Sequence, residues 1–316
     1  MFQRILFNLV QVAVTLLFAP LVSGVLSRLK EIVQSKRGPS VFQPYRDLWK
    51  LFHKDEIVSE DSSWIFRFTP YLVFVTPLFV TLLIPVLTNY PLFFAFMGDM
   101  LGAGFVLALG GFFTALAAVD TANPYGTMGA SRTRMVGFLT EPVFLIVFMT
   151  ISLVAGSTIP YIVQADWITS AEAFFEPWHL LLVLALLLLI LAEDGRIPVD
   201  SPTGTFELAM IEKSKTLEYS GRGAALMKWA GAMKLLVLTI VFLNVLVTPW
   251  GLAEGEPLGA VVLAVPFVAF KILLFLLVLV AIESSLSKLR LFRIAEFTNG
   301  AFVIAVVAMI SRLFTS

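Results

Sequence analysis

Apolar residues in this chain gather into long runs rather than alternating with polar ones. Eight runs stand out, at roughly 4–28, 68–88, 99–121, 135–156, 176–195, 224–249, 258–282 and 294–314, each close to the ~20 residues that carry a helix across a bilayer. The pattern predicts an all-α polytopic membrane protein with about eight transmembrane helices, read as one transmembrane domain over 1–316. Two long polar interruptions remain, at 29–67 and 196–223. The first run opens near Arg4 like a secretory signal, but it spans about 24 residues and ends at Arg28 and Lys30, which suits a retained span better.

Basic residues give the orientation, because cytoplasmic loops of membrane proteins are enriched in Lys and Arg. Of the 22 basic residues, 18 fall in the loops after spans 1, 3, 5 and 7, with Arg132 and Arg134 in the loop after span 3. The loops at about 89–98, 157–175 and 250–257 hold none. Both termini are therefore expected on the non-cytoplasmic side. No internal repeat of the kind used by many transporters is visible.

The two long loops are not plain connectors. Tyr45, Leu48, Trp49 and Phe52 recur at helical spacing, with Arg46, Asp47, Lys50 and Lys54 on the other face. That predicts a short amphipathic helix lying in the membrane interface or under a partner; a solvated connector is the alternative. Lys36-Arg37-Gly38-Pro39 just upstream forces a bend. The loop after span 5 carries Glu193, Asp194, Asp200, Glu207, Glu212 and Glu218 among five cations, broken by Pro198 and Pro202 and partly apolar at Phe206, Leu208, Met210 and Ile211. It reads as a segment packed against protein, or else as a solvated acidic loop.

Composition narrows the chemistry. The chain is 59% hydrophobic and 14% charged, with a mean hydropathy of +0.91, against about 25% charged in soluble domains. Acidic and basic residues balance at 22 each, so nothing advertises a nucleic acid partner. Without cysteine, and with His53 and His179 the only histidines, thiol chemistry, disulfides and His- or Cys-built metal sites are excluded. No nucleophile elbow or phosphate loop occurs.

Ionisable residues at membrane depth normally face a bundle interior or a wet cavity. Asp120 closes span 3, Glu141 lies in span 4, Glu193 closes span 5 and Glu283 closes span 7, all toward the cytoplasmic half. Lys234 and Lys271 lie near the middles of spans 6 and 7. Together they read as an acidic funnel narrowing onto two deep lysines, groups suited to exchanging protons when partly desolvated. Structural pairing of each carboxylate with a cation or helix end is the alternative.

At this point the sequence resembles subunit 1 of respiratory complex I and its relatives in membrane-bound hydrogenases. The matching pieces are Arg37-Gly38-Pro39, Tyr45-Arg46-Asp47, Lys50-Leu51-Phe52, Gly129-Ala130-Ser131-Arg132, Glu141-Pro142, Pro198-Val199-Asp200, Glu207-Leu208 and Glu218-Tyr219-Ser220-Gly221, together with Lys234, Lys271 and Glu283. Pro198-Val199-Asp200-Ser201-Pro202-Thr203 resembles the anchor of energy-converting nickel–iron hydrogenases, of the hydrogenase-4 or formate hydrogenlyase subunit 4 type. It differs from the more acidic loop of quinone-reducing members, although hydrogenase anchors often carry histidines near Thr205-Phe206 and at Glu212.

The resemblance implies a non-catalytic anchor in the prokaryotic inner membrane. It implies a proton path through Asp120, Glu141, Glu193, Asp200, Glu207, Glu218, Lys234, Lys271 and Glu283. Arg37, Tyr45, Arg46, Asp47, Trp49 and Arg132 would border a chamber under the peripheral arm. Iron–sulfur clusters, and in the hydrogenase branch nickel–iron, would sit in cytoplasmic partner subunits, beside antiporter-like membrane neighbours. This chain itself would bind no cofactor, with quinone left open. A quinone-reducing dehydrogenase of the same family and a stand-alone ion transporter are the alternative readings.

Overall fold

The computed structural model describes residues 2–90, 93–95, 98–169, 174–200, 211–254 and 258–315. In chain order its helices are α1 (Phe2–Val33), α2 (Gln43–Phe52), α3 (Trp64–Leu83), α4 (Met100–Asp120), α5 (Pro124–Ala155), α6 (Pro160–Thr169), α7 (Pro177–Glu193), α8 (Gly221–Ile240), α9 (Leu258–Ser285) and α10 (Leu291–Thr315). No strand occurs among the described residues. Seven of the helices are long and apolar enough to cross a membrane, and α7 supplies a shorter apolar helix of 17 residues. The eight expected spans are thus all present as helices.

Their apolar surface divides as a bilayer requires. Helix α8 is the most enclosed, packed chiefly against α3, α1 and α2, whereas only about a third of the apolar stretches of α4, α5, α9 and α10 is buried. Helix α3 packs on α4 and α8, and α10 packs on α7 and α5. A helix that is apolar all round is stable only in such surroundings.

Two boundaries differ from expectation. Helix α5 starts at Pro124, so Arg132 and Arg134 lie on a helix rather than in a loop. The Asn123 side chain accepts the Tyr125 amide at 2.8 Å and Pro124 fits the first turn, a strong helix start that an apolar count overlooks. The Arg134 guanidinium lies 4.6 Å from the centre of the Phe112 ring, which accommodates its charge beside α4. Helix α6 was not foreseen, because ten residues are too few to span.

Helix α8 continues as a π-helical segment, Val241–Val247. Beyond it the chain leaves helical geometry with its carbonyls still inside the protein, and side chains from other helices bond them. His179 Nε2 lies 3.0 Å from Leu246 O, Gln164 Nε2 donates to Pro249 O at 2.8 Å, and Lys271 Nζ donates to Thr248 O at 2.6 Å. The end of α3 is treated likewise. Gln11 bonds Thr81 O and Ile84 O, Tyr161 bonds Ile84 O, and Asn244 bonds Pro85 O and Val86 O. Orphan carbonyls at buried helix ends need such partners.

Candidate functional site

At the opposite end of the bundle from those capped helix ends, the two long loops meet. Ser220 Oγ accepts the Ile57 amide at 2.8 Å and donates to Ile57 O at 2.9 Å. Tyr219 stacks on Phe66 with ring centres 4.1 Å apart, and its hydroxyl donates to Phe66 O at 3.0 Å. Burial pushes that hydroxyl's pKa up, so it stays a neutral donor. Gly221 takes the left-handed conformation, φ +48°, and a Cβ there would also lie 2.7 Å from Asp55 O, so both backbone and space call for glycine. The second loop also presses on α5 at Gly129, where a Cβ would fall 1.9 Å from Ser214 Oγ.

Beneath these loops lies a cavity of about 460 Å³ between α3, α4, α5, α7, α8 and the 211–216 segment. Its charged lining comprises Arg134, Glu141, Glu193, Asp200, Glu212, Lys215 and Lys234. Lys234 Nζ bonds Glu193 twice, at 2.9 Å to Oε2 and 2.9 Å to the main-chain oxygen that ends α7. Thr140 Oγ1 donates to Glu193 Oε1 at 2.6 Å. Lys215 pairs with Glu212 at 2.8 Å. Burial pushes the Glu212 carboxyl up, but the Lys215 and Lys234 charges and the Lys215 bond outweigh this and hold it below the usual carboxylate value. Glu141 stands exposed on the same wall.

From Glu193 the charges continue across the bundle. The neighbouring Asp194 accepts Arg196 Nε at 2.7 Å, Arg196 Nη1 reaches Glu283 at 3.6 Å, and Glu283, buried at the end of α9, pairs with Lys30 of α1. Two sets of ion pairs, joined where Glu193 and Asp194 adjoin in the chain, thus link α8, the end of α7, α9 and α1. Chemically, such a series can pass a change in charge or protonation at one end along to the other, because each member's state depends on its neighbours.

The structure gathers Glu141, Glu193, Asp200 and Lys234 around one cavity and places Glu283 outside it, tied to Arg196 and through it to Asp194. Asp200 differs in character: it is buried and accepts the Ile211 and Glu212 amides at 2.9 and 3.0 Å and Lys288 at 3.1 Å, holding the second loop closed. Asp120 accepts Ser63 N and Oγ at 2.8 and 2.9 Å, anchoring the start of α3. Glu218 accepts the Asn123 side chain near the loop surface. Lys271 lies apart, among the carbonyls that follow the π-helical segment. Glu207 falls outside the described residues.

Among the chamber residues, Tyr45 donates to Leu17 O, and Asp47 pairs with Lys228 at 2.7 Å, fixing α2 across α8. Trp49 is 71% exposed, Arg37 and Arg46 are exposed, and Arg132 sits half-buried on α5. Sequence reasoning did not single out Lys30, Arg134, Asp194, Arg196 or Lys215 as site residues. The available signal was the i, i+3 spacing of Glu212 and Lys215 in the loop after span 5.

Comparison with known proteins agrees with this architecture. Formate hydrogenlyase subunit 4 of Escherichia coli (strain K12) is 34% identical over 319 aligned positions, covering 98% of this chain and 99% of that protein. Hydrogenase-4 component C of the same organism is 32% identical, covering 97% and 95%. Among solved structures, a chain of the membrane-bound sulfane sulfur reductase, an archaeal respiratory membrane complex, superposes with a TM-score of 0.83 at 19% identity, over 97% of this chain and 98% of that one. The NADH dehydrogenase family profile matches residues 6–314. With its loops interlocked over a charge-lined cavity and a family match from end to end, the chain belongs to the NADH dehydrogenase family, the integral membrane subunit 1 type of complex I and its relatives.

Proposed function

We propose that this chain is the membrane anchor and proton-path subunit of a complex-I-like, ion-translocating oxidoreductase of the membrane-bound hydrogenase kind. The observation that carries this reading is the row of charges from Glu212 and Lys215 through Glu193 and Lys234 to Arg196, Glu283 and Lys30. It begins directly beneath the loop surface, where a peripheral arm would dock, and ends across the bundle. The hydrogenase names of both Escherichia coli relatives, at near-full coverage, support the same assignment.

In this reading the basic loop end faces the cytoplasm and both termini face away. Iron–sulfur subunits, with nickel–iron in the large one, sit on the exposed face around Arg37, Arg46, Trp49 and Arg132. Electron transfer in that arm shifts the 211–222 segment, and Glu212 and Lys215 move with it. The Lys234–Glu193 pair is then loosened or tightened, and the balance of charge around Glu141 and Glu193 changes with it. Asp200 and Asp120 act through geometry, one closing the loop and the other fixing α3. Antiporter-like subunits take up the displaced charge.

The test is reconstitution of the purified complex in liposomes with a pH-sensitive dye inside. Glu141→Gln and Glu193→Gln should leave assembly and electron transfer in place and abolish proton translocation. Full coupling in both variants would remove the proposed path. Mass spectrometry of the same complex addresses the partner: a large subunit with two intact Cys-x-x-Cys pairs fits a hydrogenase. Its lack would move the arm toward a reductase such as the archaeal relative.

A further inference from the structure

The carbonyls beyond the π-helical segment make a pocket for one positive charge. Lys271 of α9 reaches into it, donating to Thr248 O at 2.6 Å and to Trp250 O, with Asn244 Oδ1 at 3.5 Å. All three partners are neutral oxygens. Among the described residues no carboxylate pairs with this ammonium, whereas Lys30, Lys215, Lys228, Lys234 and Lys288 each have one. What draws a cation here is the concentration of oxygen dipoles where a helix ends inside the protein. The C-terminal end of a helix carries partial negative charge, and unwound carbonyls at broken helices coordinate Na⁺ in secondary transporters.

We infer that Thr248 O, Trp250 O and Asn244 Oδ1 form a monovalent-cation site whose resident cation is the tethered ammonium of Lys271. Asn244 holds the site in place, because its amide group donates to Pro85 O and Val86 O at 2.9 and 3.1 Å and so turns its oxygen toward Lys271. The neighbouring carbonyls of Leu246 and Pro249 are committed to His179 and Gln164, which fixes the backbone on either side of Thr248. An ammonium group and K⁺ are of similar size and both accept carbonyl oxygens as ligands. Emptying the site of its lysine should therefore convert it into a K⁺ site. This inference is independent of the proton path, which lies at the other end of the bundle.

The experiment uses the intact purified complex, prepared throughout in K⁺ buffer and then exchanged at constant ionic strength between KCl and choline chloride. Wild type should unfold at the same temperature in both. Lys271→Ala should lose roughly 5 °C or more in choline and recover at least half of that loss in K⁺, the recovery rising with K⁺ concentration as for a ligand that binds only the folded state. Lys271→Gln, which keeps a donor for the carbonyls and guards against simple misfolding of the alanine variant, should show the same sign of K⁺ dependence at smaller amplitude. Equal melting in K⁺ and choline for both variants would overturn the inference. So would failure of both to assemble in K⁺, since a site open to K⁺ should be filled under those conditions.

Discussion

Replacing Lys234 with Met, Glu193 with Gln, and both together would measure how strongly the central pair is coupled. At the observed separation of 2.9 Å, the Coulomb attraction is about 1.4 kcal/mol if the cavity behaves as bulk water and about 6 kcal/mol at an effective dielectric near 20. The side chains are 29% and 30% exposed, which places them between two regimes. Breaking a fully buried pair costs about 3–5 kcal/mol, and an exposed one is worth about 0–1 kcal/mol. Glu193 also keeps its 2.6 Å bond from Thr140, and Lys234 keeps the main-chain oxygen of Glu193, so neither partner is abandoned. Each single substitution should therefore cost about 2 kcal/mol, and the double one about 2.5 kcal/mol, a coupling near 1.5 kcal/mol. In thermal unfolding of the purified complex the singles should each lower Tm by about 4 °C. Single effects that add to the double effect within about 0.5 kcal/mol would show that the two charges do not act as a pair.

Other contacts give further expectations. Gly129→Ala should destabilise by about 1–3 kcal/mol through overpacking, since the new methyl would meet Ser214 Oγ at 1.9 Å; pairing it with Ser214→Gly should recover most of the melting temperature. Tyr219→Phe should cost about 1 kcal/mol, the worth of its bond to Phe66 O, because the ring stack survives; a loss as large as that of Tyr219→Ala would contradict this. Partial burial pushes the Asp47 carboxyl up, but the bonds from Lys228 and Gln43 and the charges of Lys228 and Lys50 hold it below its ordinary 3.8. A depressed carboxylate contributes stability above its unfolded value and loses it as pH falls through the folded one. Protease access to the α2 region should thus rise only below about pH 4, and Asp47→Asn should remove that pH dependence.

The spans were legible in the sequence because burial in a bilayer imposes length and hydropathy, both local properties. The same apolar uniformity hid which face of each helix turns inward, so depth could be counted while partnership could not. Lys234 and Lys271 look alike by position, yet the first meets a carboxylate 41 residues earlier in the chain and the second meets only carbonyls. Asp200 drew notice as a carboxylate in a polar loop, but its partners, two backbone amides and Lys288 from 88 residues further on, could not be read from that position. Lys30 was read only as a flank of the first span, because its partner, Glu283, lies at the far end of the chain. The capped start of α5 was obscured by two arginines that a helix flank can carry as readily as a loop.

The side-chain caps on the inner ends of α3 and α8 have a mechanical consequence. Gln11, Tyr161, Gln164, His179, Asn244 and Lys271 come from four helices and the π-helical segment, and they stitch two broken backbones to their surroundings. With no water in the hydrocarbon core to take over a released carbonyl, opening any one stitch is costly. That end of the bundle is therefore a clamped base, and the helices behave as levers fixed there. Displacement is easier at the other end, where the loops interlock through side-chain bonds and ion pairs. Polar residues inside a span can thus serve as rivets, and here the side chains that bond broken-helix carbonyls gather at one end of the protein while the ion pairs gather at the other.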